Sequence, residues 1–187
     1  QAGFIDQVGF DMYMKILQDA IEEKQGKIKE DETVPSRNVP VDGYIPEDYV
    51  ESDMEKLELY QRVYKANDLA TLKRVEHELT DLYGVLPSQV RNIVVKRRFD
   101  ILSHDPLIDD VKDSSQGLEI RFSKVFLEDL DGQKFFAYVN HMFKKPQMKY
   151  TDGMLTIVSG MEPYYVSAST EFLDSVLKQY YKTHTSS

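Results

Sequence analysis

The chain has 187 residues and a formal net charge of −9, from 32 acidic and 23 basic side chains. Cysteine is absent, which excludes disulfides, thiolate nucleophiles and cysteine-ligated zinc. Nucleic-acid binding depends on clustered positive charge, so the acidic balance favours a protein partner with a basic face.

No membrane or export segment is expected. The chain contains no apolar run approaching the ~20 residues that cross a bilayer, and no signal-peptide pattern opens it. The lack of cysteine fits a cytoplasmic protein. Because the first residue is Gln1 rather than Met, we interpret the chain as a piece of a longer protein.

The first 38 residues differ in character from the rest. Apolar residues recur at helical spacing from Asp6 to Lys24 and predict an amphipathic helix. Residues 25–38 are charged, contain one glycine and one proline, and predict a flexible linker. We therefore divide the chain into a helix over residues 1–24, a linker over 25–38 and a domain over 39–187.

Three helices are predicted next. Ser52 and Glu55 have the spacing of a capping box and start a helix that runs to Ala66. A second helix begins near Asp68 and is stopped by Gly84 in a left-handed conformation, and a proline opens the third. The residues predicted to face inward are Leu57, Tyr60, Val63 and Tyr64, then Leu69, Leu72, Val75, Leu79 and Leu82, then Val90, Ile93, Val94, Ile101 and Leu102.

The second half predicts mixed structure. Alternating residues from Gly117 to Lys124 predict a strand, and Asp152-Gly153 predicts a hairpin. A helix over residues 131–145 would bury Phe135, Phe136, Val139, Met142 and Phe143, and Ser169 would cap a last helix. The predicted fold is α+β, with a helical N-terminal half followed by a small antiparallel sheet packed with two helices.

The motifs of common enzyme classes are absent. The sequence has no phosphate-binding glycine loop and no G-x-S-x-G turn, and none of its four histidines are four residues apart. Asp109 and Asp110 follow a proline and are interpreted as part of a solvated loop. We therefore predict no catalytic residue, no metal site, no cofactor and no enzymatic activity for this chain.

One basic run stands out, formed by Lys96, Arg97 and Arg98 with Arg91 nearby. It is consistent with a nucleic-acid-binding patch. It is also consistent with a helix whose arginine stems cover apolar neighbours, or with salt bridges to an acidic surface of another domain.

Two acidic residues, Glu78 and Asp81, form the other candidate site. Their i, i+3 spacing places them on one helix face, beside the apolar stripe. They lie near the predicted helix C-terminus, where the helix dipole disfavours negative charge. Such a locally unfavourable charge is typical of a site kept for binding, although a plain solubilising face has the same pattern.

Several stretches resemble one family. The segments are V-G-F-D-M-Y-M-K-I-L-Q-D-A-I at 8–21, V-P-V-D-G-Y-I-P-E-D-Y-V at 39–50, L-E-L-Y-Q-R-V at 57–63, E-L-T-D-L-Y-G-V-L-P at 78–87 and V-V-K-R-R-F at 94–99. They resemble, in order, the C-terminal region of bacterial transcription-repair coupling factors. The resemblance is strong over residues 1–102 and weak afterwards.

The resemblance implies a function that composition does not reveal. Members of this family are ATP-dependent translocases on double-stranded DNA that push stalled RNA polymerase and recruit UvrA. Their C-terminal domain docks on a UvrB-like module of the same protein, masks the UvrA-binding surface and restrains the motor. Glu78 and Asp81 match the family's acidic positions, which face basic residues of that module.

The resemblance also defines what this chain is not expected to do. ATP and Mg²⁺ would bind motor domains that this chain lacks, so it should be non-catalytic. The alternative function is an accessory nucleic-acid-binding domain that uses the basic run.

Overall fold

The computed structural model describes residues 33–184. The predicted helix over residues 6–24 and most of the predicted linker over 25–38 lie outside this range, so these boundaries stay predictions. Residues 33–52 contain no helix or strand. The chain divides into two compact units after Ile101, and each unit is described by itself.

The first unit contains three helices: α1 at Asp53–Lys65, α2 at Leu69–Tyr83 and α3 at Ser88–Ser103, whose last residues continue past the boundary. The Ser52 hydroxyl accepts a hydrogen bond from the Glu55 N–H at 3.3 Å. The Asp68 carboxylate accepts one from the Thr71 N–H at 2.7 Å. These side chains satisfy amide groups that the first turn of a helix leaves unpaired, and they confirm the predicted starts of α1 and α2.

The core of this unit combines apolar residues of all three helices with residues from the irregular segment before them. Tyr60 is completely buried, and its hydroxyl oxygen accepts a hydrogen bond from the Ile45 N–H at 2.9 Å. This contact fixes the irregular segment against α1. The buried cluster consists of Ile45, Val50, Leu59, Tyr60, Val63, Tyr64, Ala66, Leu72, Val75, Leu79, Leu86, Val90, Ile93 and Val94.

The predicted inward face of α2 is wrong at one position. Leu82 is 67% exposed, and Tyr83 packs against the core instead. The buried stripe therefore continues from Leu79 to the residue four positions on. Because an α-helix has 3.6 residues per turn, both the third and the fourth residue after Leu79 lie near its face, and spacing alone does not choose between them. Gly84 ends the helix with φ +90° and ψ −168°. The positive φ suits glycine, whereas the ψ departs from the predicted left-handed helical conformation.

The second unit is built on a four-stranded antiparallel sheet with strand order β1-β2-β4-β3. The strands are β1 at Ile108–Ser114, β2 at Gly117–Phe122, β3 at Gln147–Thr151 and β4 at Met154–Val158. In β2, Leu118, Ile120 and Phe122 are buried whereas Arg121 is exposed. This arrangement confirms the face predicted from alternation.

Strand β1 corrects the interpretation of Asp109 and Asp110 as a solvated loop, because both residues lie in this strand. The sequence I-D-D-V-K-D-S lacks a clean apolar alternation, since β1 is an edge strand that is exposed along most of its length. Its pairing with β2 includes an ion pair between Arg121 Nε and Asp109 Oδ2 at 2.6 Å. Such a cross-strand contact has no signature in the local sequence.

The predicted hairpin between β3 and β4 is confirmed. Asp152 and Gly153 have φ values of +57° and +77°. Positive φ at both central residues is typical of the tight turn whose twist matches antiparallel strands, and Asp-Gly is a favoured sequence for it.

Three helices complete the second unit: α4 at Lys124–Leu127, α5 at Gly132–Met142 and α6 at Tyr165–His184. Ser169 does not cap α6 as predicted, because the helix begins four residues earlier and Ser169 is buried within it. Phe136 was predicted to face inward but is exposed. The aromatic core of this unit contains Phe122, Phe126, Phe135, Phe143 and Phe172.

These elements confirm the predicted α+β class, with helices in the first half and a small antiparallel sheet with helices in the second. None of the helices within residues 33–184 is long and apolar enough to cross a membrane.

Candidate functional site

The C-terminal end of α2 carries both acidic residues singled out from the sequence. Glu78 and Asp81 are exposed, while Val75 and Leu79, which face the interior of the unit, are buried. The last turn of α2 contains no basic residue. The two carboxylates therefore lie where the helix dipole is negative, without a cation on the same turn to offset it.

The Glu78 carboxylate is already engaged within the unit. Arg62, in the last turn of α1, forms an ion pair through Nη2 with Glu78 Oε2. Both side chains remain partly exposed. Exposed ion pairs of this kind contribute about 0–1 kcal/mol, so a cation from a partner can compete with Arg62 for this carboxylate.

Asp81 lies one turn further along. Within residues 33–184 no hydrogen bond or ion pair is made by its carboxylate. Its charge is therefore more available to a partner than that of Glu78.

Two tyrosines hold this end of the helix in place. The Tyr49 hydroxyl lies 3.2 Å from the Leu79 carbonyl oxygen and 3.0 Å from that of Gly84, and it can donate its proton to either. The Tyr83 hydroxyl donates to Glu55 Oε2 at 3.0 Å. Burial raises the pKa of both tyrosines, and both are hydrogen-bond donors at neutral pH, as tyrosines ordinarily are. The acidic residues are thus presented on a fixed support.

Sequence reasoning missed two further features of this surface. Arg62 is distant in sequence, and only the packing of α1 against α2 brings it to Glu78. Leu82, the neighbour of Asp81 in the sequence, and Val85, after the end of the helix, are 67% and 86% exposed. The sequence did contain one signal that Leu82 is exposed. Tyr83 lies four positions after Leu79 and competes with Leu82 for the inward face of the helix.

The basic run does not form a continuous exposed patch. Lys96 and Arg97 are 0% and 1% exposed, Arg98 is half-buried and Arg91 is exposed. Lys96 Nζ donates to Asp100 Oδ1 at 2.8 Å. Two of the four cations are therefore enclosed within the unit.

Arg97 makes several contacts of its own. Its Nε donates to the Ala66 carbonyl at 3.0 Å, and its guanidinium lies over the Tyr64 ring, 4.9 Å from the centroid. Burial lowers the pKa of Arg97. Since phosphate binding needs accessible charge, the burial of Lys96 and Arg97 argues against their use as phosphate contacts.

The second unit has an open cleft of about 470 Å³ beside α5 and α6, lined mainly by apolar and aromatic side chains. His184 Nε2 lies 3.4 Å from Asp129 Oδ2, and both residues line this cleft. Among residues 33–184, no three histidine, aspartate or glutamate side chains are grouped in a way that could hold a metal ion.

Comparison with known proteins adds to this picture. The profile of a family described as the TRCF domain matches residues 39–132, half of the chain. The match includes all three helices of the first unit and both candidate acidic residues.

Curated relatives share one name. A transcription-repair-coupling factor of Bacillus subtilis is 28% identical over 141 residues, which is 75% of this chain and 12% of that protein. One from Borreliella burgdorferi is 30% identical over 67% of this chain and 11% of its own length. One from Staphylococcus epidermidis is 26% identical over 94% of this chain. The chain thus spans only about an eighth of the length of these relatives.

A solved structure shows the same fold. The crystal structure of the C-terminal domain of a transcription-repair coupling factor superposes with a TM-score of 0.56 and 18% identity. The match covers 78% of this chain and 92% of that one.

Proposed function

Because the chain belongs to the TRCF domain family, we propose that it is a regulatory domain that docks on the UvrB-like module of the same protein. Docking would mask the UvrA-binding surface and restrain the DNA translocase in transcription-coupled nucleotide excision repair. The partners of the whole protein would be RNA polymerase, UvrA and double-stranded DNA, in the cytoplasm. The TRCF domain is not the motor, and we propose that ATP and Mg²⁺ bind elsewhere in the full-length protein.

The exposed pair of carboxylates at the end of α2 carries this proposal. Glu78 and Asp81 are presented together on a helix end that has no basic residue in its last turn. A basic protein surface would relieve the unfavourable interaction of these charges with the helix dipole. The net charge of −9 would also steer such a partner towards the domain.

Reversing these charges is expected to weaken docking. In a titration of the isolated UvrB-like module with the 187-residue chain, Glu78→Arg and Asp81→Arg should each reduce affinity. A charged hydrogen bond that becomes desolvated in the complex is worth about 1.5–3 kcal/mol. Wild-type affinity should also fall as salt rises, because salt screens exposed charges.

Glu128→Arg provides the matched control, since Glu128 is exposed in the second unit and its reversal changes the net charge equally. Circular dichroism should show that all variants remain folded. If the double reversal of Glu78 and Asp81 binds the module as tightly as the wild type, these residues are not the docking site.

A further inference from the structure

Residues 33–38 form an irregular strap through which the preceding chain reaches the helical unit. The strap contains no helix or strand, and none of its side chains is buried. Val39, the next residue, is 2% exposed, and Ile45 and Val50 further along belong to the buried cluster of the unit. Apolar anchoring of this part of the chain therefore begins only where the strap ends.

Polar contacts with α3 hold the strap in place. The Arg37 N–H donates to Asp100 Oδ1 at 2.9 Å, and Lys96 Nζ donates to Ser36 Oγ at 2.9 Å. When a segment lifts away, such hydrogen bonds are exchanged for bonds to water, which limits their net contribution to stability. The strap is thus held mainly by contacts that are reversible without loss of apolar burial.

The groups that hold the strap also have partners in the helical unit itself. Lys96 Nζ lies 2.8 Å from Asp100 Oδ1, and Arg97 Nη1 lies 3.5 Å from Asp100 Oδ2. Asn67 Oδ1 accepts the Val34 N–H at 2.9 Å and also accepts from Arg97 Nη2 at 3.3 Å. The charges beneath the strap therefore stay paired when it leaves, and the costly outcome of an isolated buried ion is avoided.

Segments with few buried apolar contacts open at a lower free energy than the core around them. We propose that the strap is a releasable latch, which peels from α3 while the three helices stay folded and thereby lengthens the tether between residues 1–32 and the helical unit. Val39 is the hinge, since its buried side chain holds the chain beyond the strap.

Peeling changes the reach of the helical unit. Six residues in a fully extended chain span up to about 20 Å, so the unit can change its position relative to the preceding chain on that scale without unfolding. The latch uses none of the residues assigned to docking and is independent of that proposal.

Amide hydrogen exchange of the 187-residue chain in increasing urea tests the latch. Opening of the strap exposes little surface, so exchange of the Arg37 amide should depend only weakly on urea. The amide of Ile93, in the core of α3, should instead exchange by unfolding of the whole unit and depend steeply on urea. If both amides have the same urea dependence, the strap opens only with the whole unit and the latch is wrong.

Ser36→Ala removes the contact with Lys96 Nζ and leaves the strap backbone as it is. Exchange of the Arg37 amide should become about tenfold faster, as the loss of a hydrogen bond to a charged group requires, while exchange of the Ile93 amide stays unchanged. Ser115→Ala is the matched control, since Ser115 is exposed in the second unit, and it should change neither amide. Equal acceleration at Arg37 and Ile93, or none at Arg37, would contradict the latch.

The longer tether is measured with two spin labels, which can be placed selectively because the chain contains no cysteine. Thr33→Cys labels the start of the strap, and Lys73→Cys labels an exposed position of α2. In this background, Ser36→Ala with Arg37→Pro removes both the hydroxyl and the donated N–H.

The distance distribution between the labels should gain a component that is longer by up to about 20 Å, while circular dichroism shows that the helices remain. A distribution identical to that of the labelled chain without these two changes would overturn the lengthening of the tether.

Discussion

Glu78 and Asp81 are three residues apart on α2, yet their carboxylates are in different electrostatic situations. Glu78 is paired with Arg62 across the α1–α2 contact. The carboxylate of Asp81 has no such partner among residues 33–184. A basic partner must therefore displace Arg62 from Glu78 or share the Glu78 carboxylate with it. The same partner can approach Asp81 without breaking an internal contact.

Removal of Arg62 is accordingly expected to strengthen docking. Arg62→Gln takes away both the internal competitor for Glu78 and a positive charge that repels a basic partner. An exposed ion pair is worth up to about 1 kcal/mol, so the module should bind about two- to fivefold more tightly in the same titration.

Lys182→Gln is the control for this change, because Lys182 is an exposed cation of α6 in the second unit. A weaker affinity of Arg62→Gln would mean that Arg62 orients Glu78 for docking and does not compete for it.

At the scale of elements, α3 anchors the irregular segment that precedes α1. Asp100 Oδ1 accepts hydrogen bonds from Lys96 Nζ at 2.8 Å and from the Arg37 N–H at 2.9 Å. Lys96 Nζ also donates to Ser36 Oγ at 2.9 Å. Asp100, which is itself buried, therefore connects a buried cation of α3 to the backbone of the segment.

Asp100→Asn should destabilise the first unit by about 3–5 kcal/mol, because it leaves the buried cations Lys96 and Arg97 without their carboxylate. Urea unfolding followed by circular dichroism measures this loss. Asp48→Asn, at an exposed position of the same unit, should change the free energy of unfolding by less than about 0.5 kcal/mol. Equal stabilities of the two variants would contradict the structural role of Asp100.

Helix α6 is held by two tyrosine hydroxyls. Tyr165 donates to Asp113 Oδ1 at 3.0 Å, and Tyr181 donates to the Asp105 carboxylate at 2.9 Å. Burial, followed by these hydrogen bonds, raises the pKa of each tyrosine to about 12. Both tyrosines must be neutral to donate, so α6 is secured by their protonated forms.

This arrangement predicts a loss of stability in alkali. A pKa raised above the ordinary value of about 10 contributes stability that is complete below pH ~10 and is lost as the pH rises to ~12. The double variant Tyr165→Phe with Tyr181→Phe should unfold at a lower temperature at about pH 9. Each partly exposed hydroxyl should contribute about 1 kcal/mol or less.

The comparison with the wild type isolates this effect from other groups that titrate in alkali. The difference in unfolding temperature between wild type and double variant should shrink between about pH 9 and about pH 12. Tyr150→Phe, at an exposed position of β3, should leave the unfolding temperature unchanged. A difference that stays constant with pH would show that the two hydroxyls act through packing and not through donation.

At the scale of the whole molecule, the candidate site belongs to one of two compact units. The TRCF profile covers residues 39–132 and so extends from the first unit into the sheet of the second. The candidate site lies within the part of this range that belongs to the helical unit. The second unit contributes its own aromatic core and apolar cleft.

Features that depend on neighbours along the chain could be predicted from the sequence. Ser52 and Asp68 start helices because their side chains bond to amides three residues on. Asp152-Gly153 forms a turn because these residues tolerate positive φ. The acidic pair on α2 was found in the same way, from helical spacing.

Which residues of each pattern are buried or paired depends on the packing of distant elements. Tyr83 rather than Leu82 faces the core, the cations Lys96 and Arg97 are enclosed by Asp100, and Arg62 meets Glu78 across two helices. β1 forms because an edge strand needs only the hydrogen bonds of its neighbour. The physical reason is common to all four: burial and charge pairing are set by residues distant in sequence, and spacing along one helix or strand does not record them.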